Sequence, residues 1–281
     1  MSEEKIAVVT GGNRGIGFAI VKGLCENFNG SIFLTSRDKS KGEKACQELQ
    51  NIGYTPQFYQ LDVTENESIL NFCSLFKSNK KIDLLVNNAG ILFLKDAIES
   101  KIFQAEQTLL VNFFALVNFT EAILPFIKDH GTILNISSSS GHLSRIPSEK
   151  LRKEISDPNL SLDGLKSLMQ NYIESVKLNK HIADGWGDSP YVVSKVGLNA
   201  YTFMLNRRLK HRGILVNCIH PGYVMTDMTR GAGTVSPEEA AKCVLKLALN
   251  TKVGGLYVWS NGDIVPWDGP DPRGYIDGKI V

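Results

Sequence analysis

Tyr191-Val192-Val193-Ser194-Lys195 places a phenol and an ammonium four residues apart in a segment of helical pattern. At that spacing the two side chains share one helix face. A phenol can hand a proton to a carbonyl oxygen, and a cation beside it is expected to pull its pKa below the usual value of about 10. The spacing is not specific in itself, because Tyr275 and Lys279 repeat it in a Gly-rich tail where no helix is expected. Upstream of Tyr191, the run Asn135-Ile136-Ser137-Ser138-Ser139-Ser140-Gly141 closes an apolar strand candidate. Ligands of open α/β sheets bind at the carboxyl ends of strands. A hydroxyl there can bond a carbonyl oxygen on which charge develops. Ser138 is read in that role, and Ser137, Ser139 and Ser140 as caps of the following turn.

A third group of residues could hold a phosphate. Thr10-Gly11-Gly12-Asn13-Arg14-Gly15-Ile16-Gly17 follows the first strand candidate and opens the first helix. Glycines at that junction let the backbone turn tightly and approach a pyrophosphate at a helix N-terminus. The second strand then ends Leu34-Thr35-Ser36-Arg37-Asp38. An acid at the strand end would grip the ribose 2′-hydroxyl of NAD, and a base would accept the 2′-phosphate of NADP. Arg37 favours NADPH/NADP+, and Arg14 could be a second clamp. Asp38 is the dissenting residue, either solvated or paired with a Lys.

These groups need a scaffold, and the hydrophobic pattern supplies one. Strand candidates at Lys5–Thr10, Ser31–Thr35, Gln57–Leu61, Ile82–Val86, Thr132–Ser137, Ile214–Ile219 and Gly255–Trp259 alternate with helical segments. The latter include Ile16–Phe28, Lys41–Gln50, Gln104–Lys128 and Tyr191–His211. Thr64-Glu65-Asn66-Glu67 reads as a capping box opening a helix to about Phe76, and Ser236-Pro237-Glu238-Glu239 caps another to about Leu249. Alternation of this kind predicts an α/β fold, a Rossmann-type doubly wound parallel sheet of about seven strands. Near-continuous apolar strands such as Ala7-Val8-Val9 suit a sheet buried on both faces. No linker divides the 281 residues, so they read as a single domain. Residues 141–190 form an insertion with helical patches, Leu165–Leu178 for instance, and the tail after Pro266 is a disordered end or a surface loop.

Composition excludes several classes. Lys and Arg total 31 against 29 Asp and Glu, a formal charge of +2, which gives no field for nucleic acid. No run of about 20 apolar residues is expected to cross a membrane, and the N-terminus does not read as a signal peptide. Five dispersed cysteines suggest neither a zinc site nor a disulfide scaffold, but free thiols in a reducing cytoplasm.

Together these motifs resemble the short-chain dehydrogenase/reductase family. The resemblance is carried by Thr10-Gly-x-x-x-Gly15-x-Gly17, Asn87-Asn88-Ala89-Gly90, Asn112, Ser138, Tyr191-x-x-x-Lys195 and Pro221-Gly222, in the family's order. It implies that Tyr191 is the acid, that Lys195 holds the nicotinamide ribose and tunes Tyr191, and that Ser138 orients the carbonyl. Asn112 would sit at a helix distortion and hold a water of the proton relay. The cofactor would lie along Gly11, Asn13, Arg14, Gly15, Ile16 and Gly17, with Arg37 at its phosphate. Asp62 and Val63 would meet the adenine, and Asn88, Ala89 and Gly90 its ribose side. Pro221, Gly222, Val224 and Thr226 would meet the nicotinamide end.

Within the family the chain looks most like the monomeric NADPH-dependent carbonyl reductases. The end of the second strand, the length of the insertion, its His181-x-x-x-Gly185-Trp186 end and Pro221-Gly-Tyr-Val-Met-Thr-Asp-Met228 carry that likeness. Tyr223 stands where those enzymes have a pocket Trp, His220 where they often have Cys, and Ser139 and Ser140 where they have larger apolar residues. A pocket built from Ser138, Ser139, Tyr191 and Tyr223 would be the more polar for it. His220 is read as a pocket wall and Trp186 as a packing anchor. The expected activity is NADPH-dependent reduction of a small-molecule ketone, aldehyde or quinone. A reductase specific for one terpenoid ketone or steroid, or a non-catalytic NADPH-binding protein, are the alternatives. The apolar helical face Leu165, Leu168, Met169, Tyr172, Ile173 and Val176 should fold over the surface that relatives use for pairing, which predicts a monomer.

Overall fold

The computed structural model describes residues 4–77, 80–270, 275–276 and 279–280. The strands are β1 (Lys5–Val9), β2 (Gly30–Ser36), β3 (Gln57–Gln60), β4 (Ile82–Asn87), β5 (Ile127–Ile136), β6 (Leu215–His220) and β7 (Tyr257–Trp259). They form one parallel sheet in the order β3-β2-β1-β4-β5-β6-β7. The order reverses between β1 and β4, which opens a crevice at the carboxyl ends of those strands. The connecting helices are α1 (Gly15–Asn27), α2 (Lys39–Asn51), α3 (Asn66–Ser74), α4 (Lys101–Leu109), α5 (Leu116–Ile123), α6 (Glu149–Ser156), α7 (Leu162–Lys177), α8 (Pro190–Leu209) and α9 (Pro237–Asn250).

The continuous apolar strands follow from this burial. Along β1, Ile6 and Val8 belong to one apolar layer, while Ala7 and Val9 belong to the other. Both faces of the strand need apolar side chains, so no polar alternation is seen. The expected seven-stranded doubly wound sheet is therefore the observed one, and the α/β reading holds.

Several local expectations change. Thr64 does not cap α3: its hydroxyl bonds Asp62 Oδ1 at 2.7 Å, and Glu65 stands at the cap without a side-chain bond. A Thr beside an Asp has a nearer partner than the helix end. Ser236 does cap α9, accepting from Glu239 N at 3.1 Å. The helix expected over Gln104–Lys128 is not continuous. It runs α4, then a π-helical turn at Leu110–Ala115, then α5, and ends in a 3₁₀ turn at Leu124–Phe126. Pro125 lacks the N–H a further turn would need, and the chain turns extended at Ile127 to start β5 opposite Ile82. Contrary to the expectation that no run is long and apolar enough, Lys101–Phe126 is, among the described residues, the one span that could cross a membrane by length and composition. Half of its apolar window is buried inside the fold, where it packs as a core helix.

The insertion holds two helices. In α7, Leu165, Met169, Tyr172, Ile173 and Val176 are buried and Leu168 is packed against them, so the expected apolar face is the one that docks. The tail is not a free end up to Trp267, which is buried. Beyond it, β8 (Tyr275–Ile276) and β9 (Lys279–Ile280) pair antiparallel, so the second Tyr-x-x-x-Lys spacing lies on no helix. Residues 1–3, 78–79, 271–274, 277–278 and 281 lie outside the described residues, and with them the N-terminal segment Met1-Ser2-Glu3.

Candidate active site

The glycine loop forms a cradle closed to side chains. Gly11 has φ +64°, a left-handed backbone that favours glycine. A Cβ on Gly17 would lie 2.3 Å from Gly11 O and 2.4 Å from Asn88 Nδ2. The loop is tied to the end of β4 by Thr10, whose Oγ1 accepts from Asn88 N at 2.9 Å and Ala89 N at 3.0 Å. Asn88 Nδ2 returns bonds to Thr10 O and Gly11 O. Asn88 and Ala89 are thus placed beside the loop, and the hydroxyl that joins them belongs to Thr10, a position to which the motifs gave no role.

At the end of β2, Arg37 is exposed, and among the described residues no carboxylate pairs with it. Asp38 turns away to cap α2, accepting from Lys41 N at 3.0 Å, with Lys41 Nζ 3.6 Å away. That backbone N–H, first, holds its carboxyl below the usual range. The dissenting acid is thereby accounted for. Arg14 is engaged already: its Nη1 lies 2.9 Å from Asp227 Oδ2.

The serine turn is held from several sides. Lys195 Nζ donates to Ile136 O at 2.8 Å, and Ser137 Oγ bonds Asn199 Oδ1 at 2.6 Å. Ser138 Oγ accepts from Ser140 N at 3.1 Å. Capping thus falls to Ser138, not to Ser137, and Ser138 also faces the Tyr191 phenol. Burial pushes the Tyr191 phenol up to about 12, and the Ser138 hydroxyl opposes that rise. This corrects the expectation that Lys195 would lower it. The ammonium sits 5.6 Å from the ring centroid and is turned to a carbonyl, while burial brings its own pKa down to about 8. The start of α8 is fixed by Asp188, whose Oδ1 accepts from Lys101 Nζ at 2.7 Å and His181 Nε2 at 3.1 Å.

Asn112 lies in the π-helical turn, the helix distortion that the resemblance implied. Its amide bonds both backbone groups of Ile91, Oδ1 accepting at 2.8 Å and Nδ2 donating at 2.9 Å. Nδ2 also reaches Ser194 Oγ at 3.2 Å. The side chain thus joins α8 to the segment after β4.

A family model described as short chain dehydrogenase matches residues 5–148 and 181–235. The chain belongs to the short-chain dehydrogenase/reductase family. The gap in the match falls on α6 and α7, the insertion. Among curated members of the family, carbonyl reductase (NADPH) 3 of Mus musculus is 41% identical over 252 residues, covering 87% of this chain and 91% of that protein. Carbonyl reductase (NADPH) 3 of Homo sapiens is 39% identical over 284 residues, covering 99% and 97%. Among solved structures, salutaridine reductase of Papaver somniferum superposes with a TM-score of 0.82 at 31% identity, covering 90% of this chain and 99% of that one. NADPH-bound carbonyl reductase from chicken fatty liver gives 0.67 at 26% identity, covering 95% and 100%.

The family's remaining positions fall unevenly. Gly15 approaches Thr226, whose Cγ2 would lie 3.1 Å from a Cβ there, so these two do meet across the crevice. Thr226 also caps the 3₁₀ turn Asp227–Thr229. Val224 and Pro221 are buried, and Gly222 has φ +95°. Asp62 carries Thr64, and Val63 packs on the core. Tyr223 is 53% exposed, and Ser139 is buried. His220 stacks edge-on against Trp259 at 5.4 Å, and Trp186 packs on Tyr172 at 5.7 Å. One opening lies away from the residues singled out in the sequence as the substrate pocket. It is a cavity of about 510 Å³ between Arg14 and Gly90, the segment 91–99 and the segment 227–230. Its walls include Ile91, Leu92, Phe93, Leu94 and Met228. The signal was the apolar run that directly follows Asn88-Ala89-Gly90. Arg14, Asp96, Glu99, Asp227 and Arg230 join these apolar side chains in the lining, so the cavity is of mixed polarity.

Proposed function

We propose that the chain is an NADPH-dependent carbonyl reductase that takes ketones, aldehydes or quinones as substrates. The enzyme is an NADP-dependent oxidoreductase of its family, and NADPH, when bound, supplies the hydride. The observation that carries this reading is the convergence of Ser138, Tyr191 and Lys195 at the end of β5, beside a glycine cradle whose walls exclude a Cβ. That cradle fits a dinucleotide. Gly11, Asn13, Gly15, Ile16 and Gly17 would follow its pyrophosphate, Arg37 and Arg14 its 2′-phosphate, and Asp62, Val63 and Ala89 its adenosine side. Pro221, Gly222, Val224 and Thr226 would close on the nicotinamide. The names of the curated relatives, all carrying NADPH, support the same cofactor.

In the reduction, the substrate oxygen sits between the Ser138 and Tyr191 hydroxyls. Ser138 donates a hydrogen bond and orients the carbonyl. Tyr191 transfers its proton to that oxygen. A phenol held up to about 12 is fully protonated at neutral pH, which suits an acid. Lys195, charged below about 8, sets the positive field beneath the site. Asn112 holds Ile91 and thereby the wall of the cavity.

The test is loss of NADPH absorbance with an added quinone or dicarbonyl. No loss with a panel of ketones, aldehydes and quinones would end the reading. A second reading, one preferred ketone, draws on the likeness to salutaridine reductase, whose name gives its substrate. Turnover of a single ketone from that panel would favour it. We further propose a monomer, because α7 already covers α8 with its buried face. Light scattering should give about 31 kDa, the mass of one chain. Five free thiols suit the reducing cytoplasm in which we place the enzyme.

A further inference from the structure

The turn after Ser138 is held by its own bonds, by Asn199 Nδ2 donating to Gly141 O at 2.9 Å, and by residues much further along the chain. The Ser138 carbonyl accepts one bond from inside the turn, from Gly141 N at 2.9 Å. Its second comes from far away in sequence: the Tyr257 hydroxyl donates to Ser138 O at 2.7 Å, 119 residues on. Tyr257 is only 1% exposed in β7, where its backbone pairs with Cys218. The ring is packed between His142 and Trp259, 6.5 and 6.3 Å away. A buried phenol in that cage has few other positions to adopt. The next anchor is Trp267, whose Nε1 donates to Gly141 O at 2.7 Å and whose ring lies on Phe203 at 5.3 Å. Its carbonyl accepts from Leu143 N at 3.1 Å, and Pro266 O bonds His142 Nε2 at 3.0 Å. Two carbonyls of the serine turn are therefore tied to the segment from β7 to Trp267.

We propose that Tyr257 is a positioning residue for Ser138, acting through the Ser138 carbonyl, and that the segment from β7 to Trp267 serves as a clamp on the catalytic turn. The inference rests on the reading that Ser138 orients the substrate carbonyl. A turn that rocks by a fraction of an ångström moves the hydroxyl off the carbonyl, and alignment of this kind governs rate more than affinity. The tail thus enters the chemistry without touching substrate.

Tyr257→Phe removes one donor and keeps the ring packed. One net hydrogen bond corresponds to a fall in kcat of about two- to tenfold. The dissociation constant for NADPH, read by its fluorescence, should stay unchanged, and so should the thermal midpoint to within a few degrees. Amide exchange should speed up over residues 138–141 and not over the sheet. In a Ser138→Ala background the same change should cost little more, because its route is already cut. Trp267→Phe, which lies outside the sheet, should give a smaller fall of the same kind. Two results would overturn the proposal while leaving the site reading in place. One is a Tyr257→Phe enzyme with wild-type kcat. The other is one whose full loss persists in Ser138→Ala. If Ser138→Ala alone had no effect on turnover, the role of Ser138 itself would fall, and the clamp with it. Faster exchange throughout the sheet would show a structural residue only.

Discussion

Around the glycine loop the charged groups stand in water, whereas around Ser138 they are buried. Arg14 and Asp227 keep 62% and 74% of their side chains exposed, and Arg230 reaches Asp96 across the same rim. Lys195 keeps 6%, and Ser137, Asn199 and Asn135 are sealed beneath it. Exposed ion pairs are weak and exchange partners cheaply. Buried hydrogen bonds are costly to leave unmade and so hold one geometry. The difference suits the roles proposed for the two ends. A rim that admits and releases a highly charged dinucleotide needs cations that can let go. A site that moves one proton needs groups that do not move.

The largest effect should come from the buried end. Tyr191→Phe removes the proposed proton donor and leaves the rim untouched. Turnover should fall by about 10²–10⁴-fold, with NADPH binding close to wild type in a fluorescence titration. Near-normal turnover would move the acid elsewhere in the cleft, with His220 the next group to test.

The rim is expected to answer to charge and not to chemistry. Arg37→Ala should raise the KM for NADPH about 10- to 100-fold and that for NADH much less, since a charge-assisted bond to the extra phosphate is lost. Equal weakening of both cofactors would reduce Arg37 to a surface residue and remove the rim from the comparison.

A pH profile probes the buried end again, on a smaller scale. Lys195 is depressed to about 8, so its charged form is present below that pH and lost above it. Tyr191 is raised to about 12 and keeps its proton throughout. Reduction should therefore be flat from neutral pH downward until other groups interfere, and fall by about tenfold per unit above 8. A profile that falls only above 10 would mean that Lys195 stays charged when the site is loaded.

Much of this contrast was legible in the sequence because it is written locally. A glycine loop after an apolar strand, an Arg at the next strand end and a Tyr-x-x-x-Lys spacing each need only a few consecutive residues. So did the seven strands, since continuous apolar runs arise where both faces are buried. What was not legible depends on folding back. Thr10 reaches Asn88 across 78 residues, and Tyr257 reaches Ser138 across 119. The pKa of Tyr191 was read with the wrong sign because spacing reveals the nearby cation and not the packing that desolvates the phenol. The π-helical turn at Asn112 hid inside an unbroken helical pattern, and the 3₁₀ stop at Pro125 was overrun because the apolar period continued through it.

The smallest effect returns to the rim and asks whether its ion pairs do let go. Arg14 Nη1 is held by Asp227 Oδ2 at 2.9 Å, and the same guanidinium is proposed to meet the 2′-phosphate. Binding would then require Arg14 to leave Asp227, and the carboxylate acts as a competitor. Asp227→Asn removes the competing charge, while the Asp227 carbonyl keeps its bond from Arg230 N. Because both side chains are mostly in water, the gain is modest: the KM for NADPH should fall about two- to threefold, with kcat nearly unchanged. The advantage should vanish at about 0.5 M salt, where the Debye length is only a few ångströms. NADH, which lacks the phosphate, should be indifferent to the substitution. A rise in the NADPH KM would mean that Asp227 aims Arg14 at the phosphate instead of holding it back, and the rim would then be as fixed as the catalytic turn.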